Sequence, residues 1–139
     1  WQHEPVLFGW KKSGKHAWYA DRKQTTIWEF DKPRKNGDHP TMKPVPLLAY
    51  PIVNSSMTGC VVLDPFGGSG STLIACEQTG RVCRMVELDE KFCDVIVCRF
   101  HQNYPDQPIY RNGERIDPEV TLNPPGDSVP LSSGERNSR

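Results

Sequence analysis

The chain has 139 residues, 17 basic and 17 acidic side chains, and a hydrophobic fraction of only 36%. That length suits a single domain, and no apolar run approaches the ~18 residues of a membrane-spanning helix. The zero net charge is uneven: residues 1–44 hold nine Lys/Arg against five Asp/Glu, and residues 45–139 hold eight against twelve. Only the first part therefore offers a surface for a polyanion.

Along the chain, Glu4–Trp10 (EPVLFGW) is an apolar, aromatic run that predicts a short strand. Lys11–Gln24 has no clean period and reads as a loop. Thr25–Phe30 (TTIWEF) is β-branched and aromatic, a second predicted strand with Trp28 expected to be buried. Asp31–Pro40 is loop by its Pro, Asn-Gly and charge. Val45–Ser55 has helical apolar spacing; Pro46 fits the first turn, and Pro51 is expected to kink or shorten the helix.

The strongest local signals follow. Cys60–Asp64 (CVVLD) reads as a strand buried on both faces. Ser71 to Gly80 (STLIACEQTG) predicts a helix of about two and a half turns ending on Gly80. Arg81–Asp89 predicts a second strand, and Asp89–Gln102 a second helix with Asp89 as N-cap and Phe92, Val95, Ile96 and Phe100 as its apolar stripe. Together these make a βαβ unit, which requires a parallel sheet with helices packed on it. From Pro105 onward, six prolines among Ser, Asn, Asp and Gly predict a mostly disordered tail. The five cysteines, Cys60, Cys76, Cys83, Cys93 and Cys98, show no C-x-x-C spacing. They read as small buried hydrophobes in a reducing cytoplasm rather than as a disulfide framework or zinc site. The sequence carries no signal peptide, and it opens on Trp1 rather than Met, which suggests a piece of something longer.

Between the first strand and its helix lies LDPFGGSGSTL, Leu63 to Leu73. A phosphate-binding P-loop needs a lysine before its Ser/Thr, and none is there. The dinucleotide fingerprint G-x-G-x-x-G also fails: Gly68 and Gly70 supply the first pair, but position 73 is leucine. S-adenosylmethionine makes a different demand, since its amino-acid end is zwitterionic beside a sulfonium. Asp64, at the end of the first strand, can accept from the ligand ammonium. Gly67, Gly68 and Gly70 permit close backbone approach. Glu87, at the end of the second strand, can take the ribose hydroxyls as the acidic residue of dinucleotide folds does. The competing reading makes Asp64 a turn cap and Glu87 a solvated strand end.

LDPFGGSGST resembles motif I of the amino-group DNA methyltransferases, which methylate the exocyclic amine of adenine or cytosine with S-adenosylmethionine. HPTMKPVPLL (His39–Leu48) resembles the motif preceding it in the β-type arrangement, MVELDEKFCDVIVCR the segment carrying the acidic ribose ligand, and HEPVLFGWKK the strand before the target-recognition segment. Similarity spans residues 3 to 102 or so. The resemblance implies an α/β fold with a partial Rossmann-like methyltransferase sheet, helices on both faces and a disordered C-terminal tail. It divides the chain into a partial domain, 1–104, and a tail, 105–139. Within the domain, 10–38 is the candidate target-recognition segment and 39–104 the cofactor-binding region.

The same resemblance puts Asp64 on the methionine amine, Phe66 against the cofactor, and Gly67, Gly68, Ser69 and Gly70 in the close-approach loop. Ser71 and Thr72 open a helix whose amides face the carboxylate, Glu87 takes the ribose, and Thr41 and Lys43 fall near the methionine tail. Lys11, Lys12, Lys15, Arg22, Lys23, Arg34 and Lys35, with Trp18, Tyr19 and Trp28 interleaved, form the candidate surface for double-stranded DNA. An ordinary charged loop with aromatic anchors is the competing reading of that segment. No metal site and no membrane partner are implied; a homodimer stays open.

The family's catalytic tetrapeptide, [D/N/S]-P-P-[Y/F/W], does not occur in residues 1–139. Asn123–Gly126 (NPPG) supplies its first three residues without a ring to stack on a flipped base. Ring-carbon methylation of cytosine would need a cysteine after proline, and none of the five follows one. The expectation is therefore the cofactor-binding part of an adenine (less so cytosine) amino-methyltransferase of bacterial or phage type. It would be cytoplasmic, with no catalytic residue in this chain and no methyl transfer by the chain alone. The alternatives are a non-catalytic DNA-binding remnant of the fold, or a Rossmann enzyme for another adenosine cofactor.

Overall fold

The structure is a computed structural model that describes residues 3–31 and 42–122. Thr41, Arg34, Lys35 and the Asn123–Gly126 tetrapeptide lie outside the described residues.

Helix α1 spans Val45–Ser55, strand β1 Val61–Asp64, helix α2 Ser71–Thr79, strand β2 Val82–Met85 and helix α3 Glu90–Asn103. β1 and β2 pair in parallel, Val61 opposite Val82 through Asp64 opposite Met85, with α2 as the crossover. The predicted βαβ unit is present. α2 ends as expected on Gly80, whose φ of 69° lets its N–H turn back to the carbonyls of Cys76 and Glu77. Asp89 caps α3 by accepting from the Lys91 amide. Val95 and Ile96 of the predicted α3 stripe are buried, and Phe92 and Phe100 are half-buried.

The core lies where α2 meets its neighbours. Ile74, Ala75 and Cys76 are buried on α2, which packs along α1 and against β2. The Arg81 guanidinium joins two helix ends: Nε donates to Ser56 Oγ, Nη2 to the Ser56 carbonyl at 2.6 Å, and Nη1 to the Thr79 carbonyl. These bonds satisfy terminal carbonyls that would otherwise lack partners.

Five expectations need correction. Residues 3–31 contain neither predicted strand; their backbone is irregular apart from a turn where Gly14 N–H meets the Lys11 carbonyl at 2.8 Å. Leu7 is 98% exposed. A strand needs a neighbour to exchange hydrogen bonds with, and no described strand lies beside either run. α1 runs through Pro51 to Ser55 without being shortened. The cost of an internal proline, about 3 kcal/mol, is offset by packing on α2 and by Arg81 at the last turn. β1 is covered on one face only, since Val61 and Leu63 stay exposed while Val62 and Asp64 are half-buried.

The fourth correction concerns residues 105–122, the described part of the predicted tail. Strands β3 (Ile109–Arg111) and β4 (Glu114–Ile116) form an antiparallel hairpin, followed by the short helix α4 (Pro118–Thr121). Asn112 and Gly113 turn the hairpin with φ of 54° and 87°, as a two-residue Asn-Gly turn requires. Asp117 caps α4, and Pro118 and Leu122 are buried against the body. The fifth is Trp28, which is half-buried rather than buried, edge-on to Tyr50 of α1 with ring centres 4.9 Å apart.

Candidate cofactor site

The glycine loop is built by hydrogen bonds its own residues can supply. Asp64 ends β1; its Oδ1 accepts the Phe66 amide at 3.0 Å and its carbonyl accepts the Val86 amide at 2.9 Å. Gly67 N–H then donates to the Val86 carbonyl at 2.9 Å, which draws the loop across the end of β2. Gly70, with φ of 76°, starts α2 without a side-chain cap.

The glycines do different work from that expected of them. A Cβ on Gly67 would sit 2.8 Å from Met85 Sδ and 3.0 Å from Ile96 Cδ1. One on Gly70 would sit 3.0 Å from Ile96 Cγ2. Both are required by packing against β2 and α3, on the protein side of the loop. Gly68 (φ 54°) meets only the Phe66 carbonyl, at 3.9 Å, so of the three it is the one with room beside it.

A cavity of about 430 Å³ opens beside this loop, lined by Asp64, Phe66, Gly67, Gly68, Ser69, Ser71 and Thr72, with Lys43, Leu48 and Leu63 completing it. Eight of the predicted cofactor residues thus share one space. A carboxylate lies on the β1 side and the amino end of α2, with its partial positive charge, on the other. Phe66 is 86% exposed, its ring free to cover a ligand. Lys43 Nζ pairs with Glu4, and its carbonyl accepts from Ser71 Oγ at 2.9 Å.

Glu87 behaves differently. Its Oε2 accepts the Gly68 amide at 2.7 Å, and its Oε1 accepts the amides of Leu88 and Asp89 at 2.8 and 3.0 Å. It clamps the loop to the β2 end and is not among the residues that line the cavity.

Arg99 of α3 was missed by sequence reading. Its Nη1 donates to the Ser69 carbonyl at 2.8 Å, to Ser69 Oγ at 3.2 Å and to Ser71 Oγ at 2.9 Å. The signal available was spacing alone: Arg99 lies three residues after Ile96, on the same side of α3, so a basic side chain follows the apolar stripe. Ser69 and Ser71, both buried, meet each other at 3.3 Å.

Cys76, Cys83 and Cys93 are structural in character. Burial pushes the Cys83 thiol up to about 12, helped by its neighbour Cys76, and raises Cys76 and Cys93 as well. Raised values suppress the reactive thiolate. Among the described residues no three His, Cys, Asp or Glu side chains converge as metal ligands, and no helix is long and apolar enough to cross a membrane.

Of the expected DNA contacts, Lys11, Lys12, Lys15, Arg22 and Lys23 are all exposed on the irregular segment. Phe8, Trp10, His16 and Trp18 cluster among them, with Trp10 and His16 stacked at 4.5 Å.

A parallel βαβ unit with an acidic strand end, a glycine turn and an uncapped helix start defines part of a Rossmann-like methyltransferase sheet. Residues 7–98 match the N6/N4 family described as DNA methylase, and the chain belongs to that family. It is 34% identical over 90 residues to the type II methyltransferase M2.MboI of Moraxella bovis, a match to 62% of this chain and 33% of that protein. It is 36% identical over 88 residues to the putative methylase YubD of Escherichia coli K12, covering 63% and 30%. The chain thus spans about a third of the length of these curated relatives. Among solved structures it resembles the M1.HpyAVI–SAM complex at TM-score 0.54 and 25% identity, over 65% of this chain and 46% of that one.

Proposed function

We propose that this chain supplies the S-adenosylmethionine-binding part of a DNA methyltransferase that acts on the exocyclic amine of adenine, with cytosine as the second choice. One observation carries the reading: the Asp64 carboxylate and the first residues of α2, Ser71 and Thr72, line the same cavity. A free amino acid end presents an ammonium and a carboxylate a few bonds apart. Asp64 suits the ammonium, and the α2 amides suit the carboxylate. A phosphate would meet repulsion from Asp64. Phe66 is placed to cover the ligand, and Gly68 offers the close approach.

Membership of the DNA methylase family supports DNA as the substrate, and the solved relative M1.HpyAVI is itself a complex with SAM. The exposed basic residues Lys11, Lys12, Lys15, Arg22 and Lys23 are suited to the phosphates of duplex DNA. In the whole enzyme the target base leaves the stack and its amine is held in line with the methyl-bearing sulfonium. Catalysis then consists of positioning and hydrogen bonding to the amine. The setting is the cytoplasm of a bacterium or phage host, where free thiols persist.

Calorimetric titration with S-adenosylmethionine, S-adenosylhomocysteine and NAD tests the assignment. Both sulfur ligands should bind, and NAD should not. Asp64→Asn keeps an oxygen for the Phe66 amide but removes the charge, and should weaken binding by about ten- to hundredfold. No heat from either sulfur ligand, or equal affinity in Asp64→Asn, would overturn it; NAD binding would favour a different adenosine cofactor.

A further inference from the structure

We infer that Arg99 is a positioning residue, heading a directed hydrogen-bond chain that fixes the cavity wall: Arg99 to Ser69, Ser69 to Ser71, Ser71 to the Lys43 carbonyl. The direction follows from counting hydrogens. A serine hydroxyl has one hydrogen to donate. Ser71 Oγ donates its own to the Lys43 carbonyl at 2.9 Å, so toward Arg99 and Ser69 it accepts. The contact between the hydroxyls, at 3.3 Å, then carries the Ser69 hydrogen toward Ser71. Arg99, which only donates, shares the two hydrogens of Nη1 among Ser69 Oγ, the Ser69 carbonyl and Ser71 Oγ.

This chain links three parts far apart in sequence. Arg99 is on α3, Ser69 and Ser71 lie in the glycine loop and at the start of α2, and Lys43 precedes α1. Both serines are buried, so a hydroxyl left unmade there is costly. The guanidinium also sits under the start of α2, where its charge adds to that of the helix end in favouring an anion in the cavity. Ile96 supports the same loop from the same face of α3, through Gly67 and Gly70. The loop thus rests on an apolar contact and a charged one. Arg99 does not touch the ligand; it acts through Ser69 and Ser71.

The consequence for ligands rests on the S-adenosylmethionine reading; the consequence for the loop does not. Amide hydrogen exchange followed by mass spectrometry, with no ligand present, reads the loop directly. In Arg99→Gln, residues 67–73 should exchange about tenfold faster or more, while the hairpin 109–116 keeps its rate. Arg99→Lys should recover part of the protection, because it keeps the charge and the donors but loses the planar fork. Unchanged exchange over 67–73 in Arg99→Gln would overturn the inference.

Should Arg99→Gln unfold throughout, Ser71→Ala decides, since it cuts the chain and leaves the guanidinium. Faster exchange at 67–73 supports the inference and an unchanged rate overturns it. Titration adds a readout that a merely structural residue would not move. S-adenosylhomocysteine should bind Arg99→Gln about tenfold more weakly, whereas 5′-methylthioadenosine, which lacks the amino-acid end, should change less than about twofold. Equal losses for both would overturn the anion-favouring role. If the wild type binds neither nucleoside, the cofactor reading fails, and the exchange result still judges Arg99.

Discussion

The two halves of the described chain are built from similar raw material and turn out differently. The segment 3–31 holds two apolar runs that read as strands, and so does the βαβ unit, yet only the second forms strands and helices. In the βαβ unit each element carries its own stop and start: Gly70 and Gly80 at positive φ, Asp89 as a side-chain cap, Arg81 on two helix ends. In the first segment Trp18 and Trp28 each donate Nε1–H to a carbonyl three residues away, and the long-range ties are few. Glu4 pairs with Lys43, the Tyr19 amide reaches the Asn54 carbonyl at 2.9 Å, and Trp28 and Phe30 meet Tyr50. Strand-like composition describes a surface that fits a sheet; without a neighbouring strand it specifies little.

The sharpest way to break that contrast is to damage the self-sufficient half. Gly70→Ala places a Cβ 3.0 Å from Ile96 at a backbone φ of 76°. The left-handed conformation costs about 1–2 kcal/mol for a residue with a side chain, and crowding of the Ile96 contact costs about 1–3 kcal/mol. Urea unfolding should show a loss of about 2–5 kcal/mol in total. A loss below the strain cost alone would mean the loop relaxes away from α3, and the support assigned to Ile96 would be wrong.

What the sequence made legible follows the same division. Both helices and the Asp89 cap could be read because each rests on neighbours within a few residues. The strands and the glycine loop were legible from apolar runs and glycines, although Val86, Glu87, Ile96 and Arg99, which hold the loop, lie far along the chain. The Asn112-Gly113 hairpin is equally local, but the proline-rich composition of residues 105–139 masks its specific turn signal. The route of α1 through Pro51 was hidden, because the packing that offsets the proline comes from α2. Arg99 was hidden for a similar reason, its partners lying 28 and 30 residues away. β2 ends at Met85, and Glu87 lies in the loop that follows it. Its three amide donors include Gly68, 19 residues upstream, and no local pattern announces that bond.

An intermediate effect comes from pH. Cys83 sits on β2 against Cys76, and burial, before any neighbouring charge, raises its thiol from 9.0 to about 12. The unfolded chain releases that proton near 9 while the folded chain holds it. The unfolded state therefore binds fewer protons between those values, and stability falls as pH rises. The contribution is fully present below about pH 9 and is lost by about pH 12. Under reducing conditions, urea midpoints should decline across this window, and Cys83→Ala should decline less steeply. Parallel slopes in the two proteins would show that other groups set the alkaline limit.

The smallest effects belong to the first segment, and they sharpen the comparison by pairing two of its residues. Trp28 meets Tyr50 edge-on at 4.9 Å, an arrangement worth about 0.5–1.5 kcal/mol beyond the area it buries. Leu7 touches water over 98% of its surface. Trp28→Ala should therefore cost on the order of 1 kcal/mol and speed amide exchange across residues 18–31, because it cuts one of the few ties to α1. Leu7→Ser should stay within about 0.5 kcal/mol of wild type, since the serine replaces a side chain that has no apolar partner to lose. The pair discriminates between an anchored irregular segment and a concealed strand. A strand would make Leu7 part of an alternating buried face, and Leu7→Ser would then cost as much as Trp28→Ala. Equal losses in thermal or urea unfolding would restore the strand; a much smaller shift for Leu7 would place the order of this segment in Trp28 and its few ties to α1.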